Sequence, residues 1–172
     1  MDLKLYREHI KRLATERKGD AVYNGSAEHA AIIVENMFGA ARDSVRLLTG
    51  DLNAKVYGTE PVVQSARQFL GHSGRRVEIM IEHLTISPSH PLIEEIADDE
   101  NVDFYLIPKG ISDRLSYHFM TADNDCFRFE SEKGSHAAVA AFGDAETAAH
   151  LNNIFLEVQN SCRKLDKSEL TG

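Results

Sequence analysis

The order of apolar patterns along the chain limits its fold more than any other feature. Behind Ser26, a residue suited to cap a helix, Ala30, Ile33, Val34, Met37, Phe38 and Ala41 form a wide apolar stripe, so residues 27–42 read as a helix. Ser44-Val45-Arg46-Leu47-Leu48 follows as a short buried strand stopped by Gly50. Pro61 suits the first turn of a second helix, which Val62, Val63, Ala66, Phe69 and Leu70 continue and Gly71 and Gly74 end. Residues 75–82 alternate, with Val77, Ile79 and Ile81 on one face and Arg76, Glu78 and Met80 on the other. Pro88 and Pro91 bracket the start of a third helix, whose buried side is Leu92, Ile93 and Ile96. Val102, Phe104 and Leu106 mark a third strand, closed by Pro108 and Gly110. Strands separated by helices of about ten residues call for βαβ units and a mostly parallel sheet.

The pattern then changes. Leu115 to Ala122 and Cys126 to Glu130 are extended runs around Asp123-Asn124-Asp125, which reads as a hairpin. A turn centred on Asn124 sets Met120 opposite Arg128 and His118 opposite Glu130. His136 to Phe142 reads as an edge strand. Asp144 caps a long last helix, on which Ala148, Leu151, Phe155, Val158 and Cys162 form a heptad-like stripe. At the other end, residues 2–17 form an amphipathic helix through Leu3, Tyr6, Ile10 and Leu13, with Gly19 as its stop. The organisation expected is therefore an N-terminal helix over 1–20, one α/β domain over 21–165 with a C-terminal hairpin and covering helices, and a frayed polar tail over 166–172.

Composition narrows the function. Nineteen Lys and Arg against 27 Asp and Glu leave a net charge of −8, which disfavours a protein that grips nucleic acid on a broad basic face. No apolar run reaches the roughly 20 residues a membrane helix needs, and the charged start is no secretory signal. Cys126 and Cys162 follow no metal spacing and read as reduced thiols of a cytoplasmic protein. His83 and His90 flank Ser87-Pro88-Ser89 without a cysteine or carboxylate cluster, so neither a metal nor a cofactor is expected.

Side chains two apart on a strand share a face, so Ser116, His118 and Met120 lie together. His118 with Arg128 and Glu130 is a candidate ligand-binding group, and a histidine merely hydrogen-bonded to Glu130 is the plainer alternative. Asp123-Asn124-Asp125 is ordinary turn chemistry on the same plain view.

The ordered set Ala41 to Leu48, Phe69 to Ile81, Tyr117 to Asp123 and Phe142-Gly143-Asp144 resembles the phospholipase D-like fold, a family of phospholipases, phosphodiesterases and small nucleases. The resemblance implies an H-x-K-x4-D motif, in which His attacks phosphorus, Lys holds the phosphoryl oxygens and Asp fixes the hairpin. Two registers fit here. One gives S-x-H-x4-D, with Ser116, His118 and Asp123 as the catalytic candidates. The other gives H-x-M-x4-D, with His118, Met120 and Asp125. The first keeps the apolar residues before the turn and is preferred. Both lack the lysine, and Gly134-Ser135-His136 is the nearest match to the family's downstream Gly-Ser…Asn stretch. A fixed cation at a developing phosphoryl charge is worth several kcal/mol, and a serine nucleophile needs a base beside it. The expectation is therefore a non-catalytic phospholipase D-like module that binds or scaffolds, regulating a partner protein. The alternatives are a phosphodiesterase or nuclease with an altered His118-centred site, and a sensor of a small nucleotide or phosphorylated ligand. Because single-motif members pair across a two-fold, the resemblance also implies a homodimer.

Overall fold

The computed structural model describes residues 2–85 and 89–171. The expected helix-start proline at position 88 lies outside them. The chain runs α1 (Leu3–Glu16), β1 (Val22–Asn24), α2 (Ala27–Ala40), β2 (Ser44–Thr49), α3 (Ala54–Tyr57), α4 (Glu60–Leu70), β3 (Arg76–Ile81), α5 (Pro91–Ile96) and β4 (Val102–Leu106). It continues through α6 (Lys109–Ser112), β5 (His118–Ala122), β6 (Cys126–Glu130), β7 (Ala138–Phe142), α7 (Ala145–Gln159), β8 (Arg163–Lys164) and α8 (Lys167–Thr171).

One sheet takes the order β1-β7-β6-β5-β2-β3-β4-β8. The βαβ reading holds where it was made, since β2, β3 and β4 pair in parallel. The expectation of a mostly parallel sheet does not extend further. The pairs β1–β7, β2–β5, β4–β8, β5–β6 and β6–β7 are antiparallel, so the sheet is mixed. For β5–β6 and β6–β7 the reason is connection length: the tight turn from β5 to β6 and the short loop to β7 leave no room for crossover helices. The strand at 138–142 is also not an edge, because β1 pairs along its outer side. Three residues with no apolar alternation gave β1 no signature of its own.

The sheet carries α1, α2, α4 and α5 on one face and α7 on the other. Leu47, Ile79, Met120 and Phe142 point to the first face, within the larger core cluster. Leu48, Met80, Phe119 and Phe127 point to the second and pack with Leu151 and Phe155 of α7. The heptad-like stripe of α7 is therefore spent on this chain's own sheet. The N-terminal helix is likewise no separate unit, since Tyr6, Ile10 and Leu13 are buried in the main core.

Two chain ends depart from expectation. α1 stops not at Gly19 but at Arg17, whose backbone turns left-handed at φ 49°. Next to it, Gly143 sits at φ 98°, and a Cβ there would lie 2.1 Å from the Arg17 carbonyl oxygen. Only glycine lets these two segments cross. Among its described residues the polar tail is also not frayed: α8 forms and Leu170 is buried, as is Leu165 just ahead of the tail. Two leucines spaced among charges are too sparse a pattern to announce this.

Phe155 is fully buried between α7 and the sheet. Phe155→Ala is expected to cost about 3–5 kcal/mol in urea denaturation, the range for truncating a buried phenylalanine.

Candidate functional site

The site forms at the carboxyl edge of the parallel strands, where open α/β sheets place their ligands. β2 ends there in Thr49-Gly50-Asp51, and Glu82 follows β3 directly, its N–H donating to the Thr49 and Gly50 carbonyls. β5 runs antiparallel to β2, with Leu48 opposite Phe119, so His118 enters at the same edge. β6 returns beside it in the expected register, with His118 opposite Glu130 and Met120 opposite Arg128.

Glu82 is the centre of the group. Its carboxylate is 7% exposed and accepts from His118 Nε2 at 2.5 Å. Its other oxygen accepts from Lys133 Nζ at 2.5 Å and Ser112 Oγ at 2.6 Å. Burial alone would push this carboxyl up, but the hydrogen bonds from His118, Lys133 and Ser112 outweigh it and hold the group at about 2. Lys133 also donates to the Ser112 carbonyl at 3.1 Å, which fastens the β6–β7 loop to α6.

A second ion group lies alongside. Arg128 is 2% exposed, and its guanidinium donates to Glu130 at 3.4 Å, to the His136 carbonyl at 3.0 Å and to Asn24 Oδ1 at 3.4 Å. Asn24 also donates to the His136 carbonyl. Glu130 takes the Gly134 N–H at 2.8 Å. These bonds hold His136 in a left-handed backbone at φ 60°. Because Nε2–H of His118 donates to Glu82, its Nδ1 is turned toward Glu130, 3.9 Å away and beyond hydrogen-bond distance.

Between the two groups is a cavity of about 80 Å³, lined by Asn53, Tyr57, His118, Arg128, Glu130 and His136 among others. Burial raises the pKa of the Tyr57 phenol, which therefore stays neutral. Among the described residues no buried side-chain nitrogen or oxygen lacks a partner, and no cluster of His, Cys, Asp or Glu is placed to hold a metal. The two free thiols are pushed up to about 11 by burial and remain protonated.

The expected ligand group of His118, Arg128 and Glu130 thus comes together. Ser116 does not join it: the residue is exposed, precedes β5 and is absent from the cavity lining. Asp123 lies at the far end of β5, at the hairpin, where its carboxylate accepts the N–H groups of Arg42, Asp43 and Ser44. It therefore ties the hairpin to the start of β2. Glu82 and Lys133 were missed by sequence reasoning. The signal for Glu82 was available, as a carboxylate one residue past a buried parallel strand.

No family model matches the chain, and no curated protein matches it. Solved structures do. TrmBL2, an archaeal chromatin protein described with a novel mode of DNA binding, has a TM-score of 0.64 at 12% identity over 94% of this chain. This chain spans 61% of TrmBL2. Nuc from Salmonella typhimurium, a phospholipase D family member, gives 0.61 at 15% identity, covering 87% of this chain and 98% of Nuc. NucT from Helicobacter pylori gives 0.59 at 12% identity, covering 86% and 99%. These likenesses establish the phospholipase D-like fold. No helix among the described residues is long and apolar enough to cross a membrane.

Two buried groups make stability depend on pH. The Glu82 carboxyl is depressed, so its contribution is complete above the ordinary 4.5 and is lost as pH falls toward 2. His90 caps α5, accepting the Leu92 N–H and donating to the Leu52 carbonyl at 2.7 Å, and burial lowers its pKa. Its contribution is complete above 6.5 and declines as pH drops below that value. Urea midpoints measured against pH are expected to fall in both windows. His90→Gln flattens the upper one, and Glu82→Gln flattens the lower.

Proposed function

We propose that this phospholipase D-like domain works without catalysis, as a binding or scaffolding module that regulates a partner protein. One observation carries the reading: the position where the resemblance implies a phosphate-holding lysine is His118, and its Nε2–H is committed to a buried carboxylate 2.5 Å away. A phosphodiester needs free positive charge at this point. Here Lys133 is held by Glu82, and Arg128 is shared between Glu130 and the His136 carbonyl. Both cations are already neutralised inside the fold. The exposed Ser116 makes no hydrogen bond to a base among the described residues.

A second reading rests on the same contact. Glu82 orients His118 as a carboxylate orients a catalytic imidazole, and leaves Nδ1 toward the cavity. That would serve a phosphodiesterase with an altered site. The approach of a phosphate to Nδ1 is opposed by Glu130, 3.9 Å away. The third reading, a nucleotide sensor, meets a volume limit: about 80 Å³ is well below the roughly 300 Å³ at which ligand pockets begin.

Hydrolysis of a generic aryl phosphodiester is expected to stay at background, with or without divalent metal. Turnover that disappears in His118→Ala would overturn the proposal and establish the phosphodiesterase.

The proposal includes a homodimer, which the resemblance to single-motif members supports. With the α7 stripe spent on its own sheet, the apolar residues left outside are Leu3, Leu5, Tyr23, Leu84 and Leu156. Light scattering at tens of micromolar is expected to give twice the chain mass. The chain mass itself would remove the dimer.

A further inference from the structure

The amino edge of the sheet, opposite the site just described, has a different character. Here α1, α2 and α4 end close together, ahead of β2 and β3. Two adjoining clefts of about 320 and 340 Å³ lie over these ends and share Gly39, Ala40 and Arg42. Their combined lining includes Lys11, Arg17, Arg42, His72 and Arg75, and no aspartate or glutamate. The chain as a whole has 27 acidic residues to 19 Lys and Arg, so a groove of this size free of carboxylate runs against its composition.

The structural uses of positive charge at this edge account for only part of the set. Helix carboxyl ends attract cations. Arg17 meets that need by donating to the Ala40 carbonyl at 2.8 Å, and it also pairs with Asp123 and Asp125. The His72 ring meets it at the Gln68 carbonyl at 3.1 Å. Lys11, Arg42 and Arg75 have no carboxylate partner among the described residues. Arg75 instead lies over the Phe69 ring, its guanidinium carbon 5.2 Å from the centroid. That stacking fixes the plane of the guanidinium at the cleft wall and leaves its N–H edges to a ligand. Three cations along two connected clefts thus stand open to one anionic, extended occupant.

We propose that this groove docks an acidic peptide segment of a partner protein, with carboxylates received by Lys11, Arg42 and Arg75. The groove favours peptide over nucleic acid. Nucleic-acid binders typically neutralise about 6–10 phosphates, and three free cations are too few for that. A carboxylate, by contrast, matches a guanidinium fork one to one. The inference rests on the binding-module reading in naming that module's partner chemistry. Its failure is separable, because a catalytic carboxyl-edge site would leave this groove and its ligand unchanged.

The probe is a fluorescein-labelled hexaglutamate peptide, followed by anisotropy with the full chain at low salt. Saturable binding is expected, weakening as salt rises. Arg42→Ala with Arg75→Ala should weaken it about tenfold, the combined effect of two exposed ion pairs of intermediate strength. Lys11→Glu, on the exposed face of α1, should also weaken it, while Lys55→Ala, remote from the groove, should leave it unchanged. Each variant is first checked for an unaltered urea midpoint, and Lys11→Glu alone serves should the double variant fail to fold. Absence of saturable binding overturns the proposal, as does affinity that survives both groove variants. Equal or tighter binding of a single-stranded hexanucleotide, lost in the same variants, would overturn the peptide assignment in favour of nucleic acid.

Discussion

The carboxylate of Asp123 holds this fold together where its parts would otherwise come apart. It accepts the N–H groups of Arg42, Asp43 and Ser44, the residues that carry the chain from α2 into β2. It also takes Arg17 at the end of α1, and Arg17 takes Asp125 across the turn. From the opposite face, Asn152 of α7 donates to the Asp123 carbonyl. Four segments distant in sequence thus meet at one turn residue, which accepts a left-handed backbone at φ 55° to be there. The consequence reaches the far end of the strand. With the hairpin pinned to the start of β2, the pairing of β5 on β2 is fixed in register, and a slip of one residue would turn His118 to the other face.

That pinned register explains what sequence could show. The turn chemistry of Asp123-Asn124-Asp125 is a local property. A turn centred on Asn124 sets His118 opposite Glu130 and Met120 opposite Arg128, as the structure has them. The parallel segment was legible for the same reason. The mixed character of the sheet was less so, because a β6–β7 loop says little about which strand covers the outer side of β7. The site's centre was hidden for a different reason. Glu82 and Lys133 are 51 residues apart and meet only because α6 and a loop converge over the edge of the sheet. No periodicity encodes such a meeting. Arg17 was hidden by its surroundings, since it sits among lysines and arginines that do form a solvated face.

The charges of the carboxyl edge close on themselves. Glu82 and Glu130 are answered by Lys133 and Arg128, with His118 lying between the two carboxylates. Buried charges of this kind are tolerated because each finds a partner of opposite sign with hydrogen bonds in place. The same completeness works against catalysis. A site that stabilises developing charge keeps donors aimed at a space that substrate will fill, whereas here the donors aim at the protein's own carboxylates. Binding a phosphoryl group would require Lys133 or Arg128 to exchange one anion for another while leaving a buried carboxylate without its cation, at a cost of several kcal/mol.

The two edges of the sheet therefore carry different arrangements of charge. At the carboxyl edge, Arg128 and Lys133 are matched by the buried carboxylates Glu130 and Glu82 beside a cavity of about 80 Å³. At the amino edge, Lys11, Arg42 and Arg75 are set over clefts that hold no carboxylate. At that edge the Arg17 guanidinium is spent on Asp123 and Asp125, whereas Arg42, whose N–H meets the same Asp123, is exposed and has no carboxylate partner among the described residues. An acidic chain gains solubility from its net charge and gives up long-range attraction for anions. Recognition of an anion then depends on a place where local charge is concentrated and unanswered, and the fold supplies that place at the edge away from its buried ion cluster.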